Sequence, residues 1–153
     1  DKNEQPICAS RDWHPPDTAH FKDNGGIWPA HCVAHTHGAQ FHPRLRITGP
    51  TYIITKGTSK SDDGYSPFEG QAYGRPFDEF LRAFKVTDLY VCGLATDYCV
   101  KAACLDAKKL GYTVYLLTDA CRAVNRKPGD EALALNEMAN AGVIFTTTDE
   151  ILR

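Results

Sequence analysis

The chain has 153 residues, of which 42% are hydrophobic and 24% charged, and its formal net charge is -2 at pH 7. This length and composition are typical of one globular domain, here residues 1–153, that is large enough to bury a core. Lysine and arginine do not cluster, which disfavours nucleic acid and anionic membranes as partners. Apolar runs are too short for a membrane span and the first residues lack a signal-peptide pattern, so we expect a cytoplasmic, soluble protein.

Six cysteines are spread along the chain. Their spacing is not that of zinc knuckles, and a chain of this size does not need a disulfide framework to fold. We therefore interpret most of them as small, buried apolar residues. They are Cys8, Cys32, Cys92, Cys99, Cys104 and Cys121.

The first half of the chain predicts two strands separated by a long irregular segment. Residues 6–10 (PICAS) form a short apolar run, and residues 51–55 (TYIIT) are β-branched and aromatic. Between them, residues 11–50 are rich in Pro, Gly and His and lack periodicity. Loops of about forty residues inside a compact domain are usually functional. Residues 56–70 predict another loop.

In the second half, predicted helices alternate with predicted strands. The helices span 76–85, 97–110 and 129–142. The strands span 89–94, which is predicted to be buried, 113–118 and 143–147. This alternation indicates an α/β fold, a three-layer α-β-α domain with a mainly parallel sheet. Functional residues of such folds gather at the carboxyl ends of the strands. The residues expected there are 11–14, Lys56, 95–99 and Asp119.

Cys99 is the cysteine best placed for chemistry. It falls in the first turn of a predicted helix, with Thr96 as the N-cap whose hydroxyl accepts from the N–H of Cys99. A helix N-terminus lowers the pKa of a thiol, and neighbouring N–H groups can stabilise an oxyanion. Cys92 lies within a predicted buried strand and should be inert. Lys56 at a strand end is either a cation that activates the thiolate or an ordinary solvated terminus.

A second cluster of candidate residues is formed by Asp12 and the histidines. Asp12 and His14 alternate on an extended segment and therefore face the same side, and His31 can return to them from the loop. One carboxylate with two imidazoles suits Zn²⁺, Mn²⁺ or Fe²⁺. The alternative is a histidine-rich surface loop that binds no metal. His20 is the next candidate ligand.

Several long stretches resemble the nicotinamidase/pyrazinamidase branch of the isochorismatase-like cysteine hydrolases. The resemblance covers nearly the whole chain in family order, and its most specific stretches are RDWHP, GGIWPAHCVAHTHGAQFHP, ITKGT, YSPFEG, YVCGLATDYCVKAACLDA and LLTDACRAV. It implies an isochorismatase-like, Rossmann-like fold. The implied reaction is metal-dependent hydrolysis of nicotinamide, and also of pyrazinamide, through a cysteine thioester.

The resemblance also implies a role for particular residues. Cys99 matches the nucleophile and Lys56 the catalytic lysine. The metal ligands match Asp12, His14 and His31, with Zn²⁺ the first expectation, and His20 lies where some members contribute another ligand at a different spacing. The substrate pocket matches Trp28, Tyr65 and Tyr98. The oxyanion hole matches Ala95 and Cys99, with a cis peptide bond expected at Leu94–Ala95.

One part of the family pattern has no match in the printed sequence. The family begins with an apolar strand that carries an acidic residue, which acts as general base. Here the sequence opens at the second strand of the pattern, and none of its acids matches that position. We expect the strand and its acid to belong to a preceding segment or to a partner, so the activity of the chain as printed is left open.

Three other hypotheses about the function remain open. An amide hydrolase of the same superfamily that acts on ureido or carbamoyl substrates would not need a metal-held pyridine. A non-catalytic protein would bind metal and ligand without turnover, and a redox sensor would show two or more reactive cysteines. Isochorismatases proper do not use the Asp/His/His site, which favours the amidase. Self-association as a homo-oligomer is a further possibility.

Overall fold

The computed structural model describes residues 5–47 and 50–152. The chain divides into two compact units, Asp1–Phe84 and Lys85–Arg153. The start of the chain, where the sequence lacks a signal-peptide pattern, and residues 48 and 49 of the predicted 11–50 loop lie outside the described residues. Within the described part, no helix has the length and apolar character to cross a membrane. The single domain over residues 1–153 stays a prediction.

The first unit is built on two parallel strands, β1 (Ile7–Asp12) and β2 (Thr51–Lys56). Both were expected from their apolar and β-branched residues, and both extend further toward the carboxyl end than predicted. Their register pairs Ile7 with Thr51 at one end and Asp12 with Lys56 at the other. The last residues of the two strands are therefore neighbours, which places a carboxylate beside an amine.

A short hairpin and a helix complete the first unit. β3 (Gln71–Ala72) pairs antiparallel with β2, and β4 (Arg75–Pro76) pairs antiparallel with β3. These two-residue strands were not predicted, because so short a segment carries no periodicity. The predicted helix follows as α1 (Phe77–Ala83). It buries apolar side chains at i, i+3 and i+4, namely Phe77, Phe80 and Leu81.

The long segment between β1 and β2 is irregular, as predicted, but it is tied down by backbone hydrogen bonds. It contains two 3₁₀ turns, Lys22–Asn24 and His37–Ala39. Isolated β-bridges join His14 to Val33 and Phe21 to Trp28. These bridges fold the segment back on itself.

The second unit is a three-stranded parallel sheet with helices between its strands. Its strands, in the order β5-β6-β7, are β5 (Asp88–Leu94), β6 (Thr113–Arg122) and β7 (Ile144–Thr146). Its α-helices are α2 (Lys101–Lys109), α3 (Asp130–Asn140) and the single turn α4 (Thr148–Ile151). The predicted βαβ pattern and parallel pairing are confirmed, except that α4 was not predicted. The described strands of the chain form two sheets, one in each unit.

The core of the second unit is apolar and includes two of the six cysteines. Cys104 and Cys121 are buried together with Val114, Leu116 and Met138. Burial raises the pKa of the Cys104 thiol to about 12. These thiols therefore behave as small apolar groups. The prediction that most of the six cysteines are buried is wrong, because three of the others are half-buried and Cys92 is exposed.

The prediction that the strand at residues 89–94 is buried is wrong. Tyr90, Cys92 and Leu94 are exposed, and Leu89, Val91 and Gly93, which alternate with them, are half-buried. An apolar run shows that a strand can be buried on both faces, but it does not show that both faces are covered. Although Cys92 is exposed, partial burial of its thiol and the nearby Asp119 carboxylate raise its pKa.

Candidate active site

Lys56 is a buried cation in an ion pair and not a solvated strand terminus. Its side chain is 3% exposed. The parallel register of β1 and β2 places its ammonium nitrogen against Asp12, to which it donates a short hydrogen bond. Its Nζ also donates to the carbonyl oxygen of Gly64 at 2.6 Å. A buried ammonium held in this way is costly to leave unpaired, so the Asp12 carboxylate stabilises its position.

Three histidines of the irregular segment meet beside this pair. One ring nitrogen from each of His14, His20 and His31 lies within 4.8 Å of the others. His14 and His20 are buried, and His31 is half-buried. Asp12 borders the cluster, because its Oδ2 lies 3.9 Å from Nε2 of His14. The structure thus adds His20 to the cluster and gives Asp12 a position between the histidines and Lys56.

Each of the three imidazoles has an oxygen next to its Nδ1 atom. The oxygen is the carbonyl of Gly57 for His14 at 3.1 Å and that of Pro29 for His31 at 2.8 Å. For His20 it is a carboxylate oxygen of Asp63 at 2.6 Å. An oxygen acceptor favours a proton on Nδ1, which leaves the Nε2 lone pair available to a metal ion.

The charge state of His14 also suits metal binding. Burial lowers the pKa of His14, and His20 and His31 act in the same direction, whereas Asp12 and the Gly57 carbonyl oppose the shift. A neutral imidazole is the form that ligates metal. Three imidazoles with a carboxylate beside them are a donor set typical of Zn²⁺ and related ions. The residues present therefore fit a divalent metal.

Gly57 is a backbone position that no other residue fits. It has φ +64°, and a Cβ atom there would lie 2.5 Å from Cε1 and 2.7 Å from Nδ1 of His14. Gly64 packs onto it in turn, because a Cβ at Gly64 would lie 2.3 Å from the Cα of Gly57. The glycines let the loop backbone contact the His14 ring directly.

Two aromatic residues predicted to line the pocket lie against the same cluster. The indole N–H of Trp28 donates to the hydroxyl of Tyr65 at 2.8 Å. The Trp28 ring stacks on His20 at a centroid distance of 6.1 Å, and Tyr65 meets His20 edge-on at 5.6 Å. The hydrogen bond fixes the two rings relative to one another, so a planar ligand would meet a preformed aromatic surface.

In the second unit, Cys99 lies in a π-helical turn, Thr96–Val100, that directly precedes α2. The peptide bond between Leu94 and Ala95 is cis, as the resemblance implies. Ala95 begins the turn, and Cys99 is half-buried within it. Placement of this cysteine at the start of a helical segment is confirmed.

The predicted N-cap is wrong. Ala95, and not Thr96, occupies the cap position, and its carbonyl accepts from the N–H groups of Tyr98 at 3.1 Å and Val100 at 3.0 Å. In the described part of the chain, the buried Thr96 hydroxyl has no hydrogen-bond partner. The wider π turn moves the first backbone hydrogen bonds onto Ala95, so the side chain of Thr96 is not used as a cap.

Sequence reasoning missed the role of Asp97. This carboxylate is 5% exposed and accepts from the N–H groups of Val124 at 2.9 Å and Asn125 at 2.8 Å. It joins the turn that carries Cys99 to the segment after β6. The sequence showed Asp97 only as the first residue of the predicted helix, and its contact with residues 124 and 125 is a tertiary contact that no local pattern indicates.

Comparisons with known proteins identify the family of the chain. The model of the isochorismatase domain matches residues 1–150. The chain belongs to the isochorismatase family. A curated relative, the nicotinamidase of Escherichia coli (strain K12), is 39% identical to this family member over 161 aligned residues, which cover 94% of this chain and 76% of the relative.

Solved structures with a similar fold include members of the same branch of the family. The pyrazinamidase of Pyrococcus horikoshii, solved in complex with zinc, has a TM-score of 0.82 and 42% identity, covering 92% of this chain and 74% of that one. PnC1 from L. infantum, solved in complex with nicotinate, has a TM-score of 0.84 and 34% identity, covering 93% of this chain and 71% of that one. The resemblance to the nicotinamidase/pyrazinamidase branch and the isochorismatase-like fold are thereby confirmed.

Proposed function

We propose that this isochorismatase-family protein hydrolyses nicotinamide to nicotinate and ammonia, with pyrazinamide as a second substrate. The observation that carries the proposal is the 39% identity to the nicotinamidase of Escherichia coli across most of both chains. The histidine cluster with its aromatic border supplies the binding chemistry that such a substrate needs.

A divalent metal, with Zn²⁺ first and Mn²⁺ or Fe²⁺ as alternatives, is held by the three clustered histidines and Asp12. The availability of Nε2 on each imidazole supports this assignment. Oδ1 of Asp12 accepts a hydrogen bond from Lys56. Oδ2 of Asp12 faces His14 instead, so this second oxygen is the one directed at the histidine cluster. When bound, the metal supplies a Lewis acid for the ring nitrogen of the substrate.

The aromatic residues orient the flat ring of the substrate. Trp28 and Tyr65 border the cluster and are fixed to one another by a hydrogen bond. The family resemblance adds Tyr98 to the residues that contact the substrate ring. Because the substrate ring is held at one end, the carboxamide at its other end is confined. Attack of a nucleophile on the carboxamide then becomes an intramolecular step.

The covalent steps are assigned to Cys99. Its sulfur attacks the carboxamide carbon, while the N–H groups of Ala95 and Cys99 stabilise the developing oxyanion. The carbon–nitrogen bond breaks, and the nitrogen leaves as ammonia after it has taken up the proton that the Cys99 thiol lost. Water then hydrolyses the thioester, which releases nicotinate and restores the thiol. The family resemblance gives Lys56 the role of the catalytic lysine, and the Asp12 ion pair keeps its ammonium in place.

The test is ammonia release from nicotinamide by the chain, measured after chelation and again after Zn²⁺ or Mn²⁺ is restored. We expect release that disappears on chelation, returns with metal, and is lost in Cys99→Ala although metal binding persists. Benzamide, which lacks the ring nitrogen, should be a poor substrate.

Two results would contradict the proposal. Turnover of an N-carbamoyl compound that survives chelation would favour the carbamoyl-hydrolase alternative. Metal binding with no ammonia release from either amide would favour a non-catalytic binding protein.

A further inference from the structure

The three imidazoles of the cluster differ in what holds their Nδ1 atoms. For His14 and His31 the partner is a main-chain carbonyl, whereas for His20 it is the side chain of Asp63. We propose that Asp63 is a positioning residue that acts through His20 and strengthens metal binding at the cluster. This inference rests on the metal site proposed above.

The packing of His20 does not fix the orientation of its ring within the ring plane, whereas the contact with Asp63 does. The His20 ring stacks on His14 at 4.6 Å and on Trp28 at 6.1 Å, and its backbone N–H donates to the hydroxyl of Thr18 at 3.3 Å. Stacking restrains the plane of a ring, but it does not decide which edge of the ring faces a given direction. The 2.6 Å contact from Nδ1 to Asp63 decides this, and it leaves Nε2 as the ring nitrogen available to a metal ion at the cluster.

Charge gives the second part of the argument. A carboxylate acceptor makes an imidazole a more basic ligand than a neutral carbonyl does, and it adds negative charge near a divalent ion. The charge of Asp12 is shared with the Lys56 ammonium. Asp63 therefore contributes negative charge that Asp12 does not supply.

The exposure of Asp63 indicates that its contact with His20 serves metal binding more than folding. The Asp63 side chain is 58% exposed, so water solvates its charge, while His20 is 3% exposed. Because the carboxylate is already largely solvated, water can take its place as the acceptor, so the contact adds little to folding stability. Loss of the carboxylate should therefore affect metal binding more than folding.

The experiment measures Co²⁺ affinity by chelator competition and records the visible absorption spectrum of the bound Co²⁺. We expect Asp63→Asn to weaken Co²⁺ binding about 10-fold and Asp63→Ala up to about 100-fold, with an altered spectrum in both. Asp63→Glu should recover part of the loss, because the carboxylate is retained.

The matched control is Asp17→Asn, which makes the same change at an exposed carboxylate paired with Lys60 on the neighbouring loop. Its Co²⁺ affinity should equal that of the unmodified protein, and all variants without metal should unfold at the same urea concentration. Equal Co²⁺ affinities and spectra for Asp63→Asn and Asp17→Asn would overturn the inference.

A double-variant cycle separates action through His20 from a general charge effect. In a His20→Ala background, Asp63→Asn should cause no further loss of Co²⁺ affinity. A full additional loss there would show that Asp63 does not act through His20 and would overturn the inference while leaving the metal site intact. Failure of the unmodified protein to bind Co²⁺ would overturn both the inference and the proposed metal site.

Discussion

Replacing Gly57 by alanine tests whether this backbone contact positions His14. The added Cβ would lie 2.5 Å from Cε1 of His14, whereas carbon atoms normally approach to about 3.5–4.0 Å. The ring must therefore move by about 1 Å. It is 1% exposed, and its residue is held by backbone hydrogen bonds to Cys32 at 3.0 Å and from Ala34 at 2.8 Å. Movement of the ring is thus opposed on several sides.

The matched control is Gly74→Ala. Gly74 has φ +76°, close to the +64° of Gly57, but no atom lies within 4 Å of the position its Cβ would take. Both variants carry the cost of a left-handed alanine, about 1–2 kcal/mol, which is partly offset by a less flexible unfolded chain. Only Gly57→Ala adds overpacking, so the two should differ in free energy of unfolding by about 1–3 kcal/mol.

The assay is urea unfolding of the metal-free proteins, followed by Co²⁺ titration of each. We expect Gly57→Ala to be the less stable variant and to bind Co²⁺ at least about 10-fold more weakly, because Nε2 of His14 is displaced with the ring. If both variants matched in stability and in Co²⁺ affinity, the contact between Gly57 and His14 would not be what positions this ligand.

Three further outcomes are expected. Asp97→Asn should lower the free energy of unfolding by about 2 kcal/mol in urea, because one of the two N–H groups that donate to this buried carboxylate loses its charged acceptor. A loss equal to that in the half-buried control Asp106→Asn would contradict this. Native Cys104, whose pKa is about 12, should resist alkylation at pH 8, where about one molecule in 10⁴ is thiolate, and mass spectrometry should show labelling increase with pH. Trp28→Phe, which loses the hydrogen bond to Tyr65, should raise KM for nicotinamide about 2- to 10-fold; an unchanged KM would argue against orientation by this pair.

The sequence predicted those parts of the site that follow from regular structure. Parallel strands bring their carboxyl ends together, and the register of β1 and β2 does place Asp12 beside Lys56. Cys99 at the start of a helical segment followed from the apolar run before it. Both inferences depend only on local pattern and sheet geometry.

The remaining parts depend on tertiary contacts that carry no sequence period. Spacing alone left His20 uncertain, because the irregular segment between β1 and β2 folds back through isolated bridges. Asp63 lies in a loop without periodicity, so its contact with His20 was not predictable. Thr96 fits the usual capping pattern, yet a π turn shifted the backbone hydrogen bonds to Ala95.

The segment from residue 57 to residue 65 contacts several residues of the site in the first unit. Its carbonyls contact His14 and Lys56, its Asp63 carboxylate contacts His20, and its Tyr65 accepts from Trp28. Three of these four contacts come from residues 63–65, so an insertion or deletion there would shift several of them at once. Variation in loop length should therefore be confined to the exposed tip, residues 58–61, and natural or designed changes elsewhere in this segment would have to arise together.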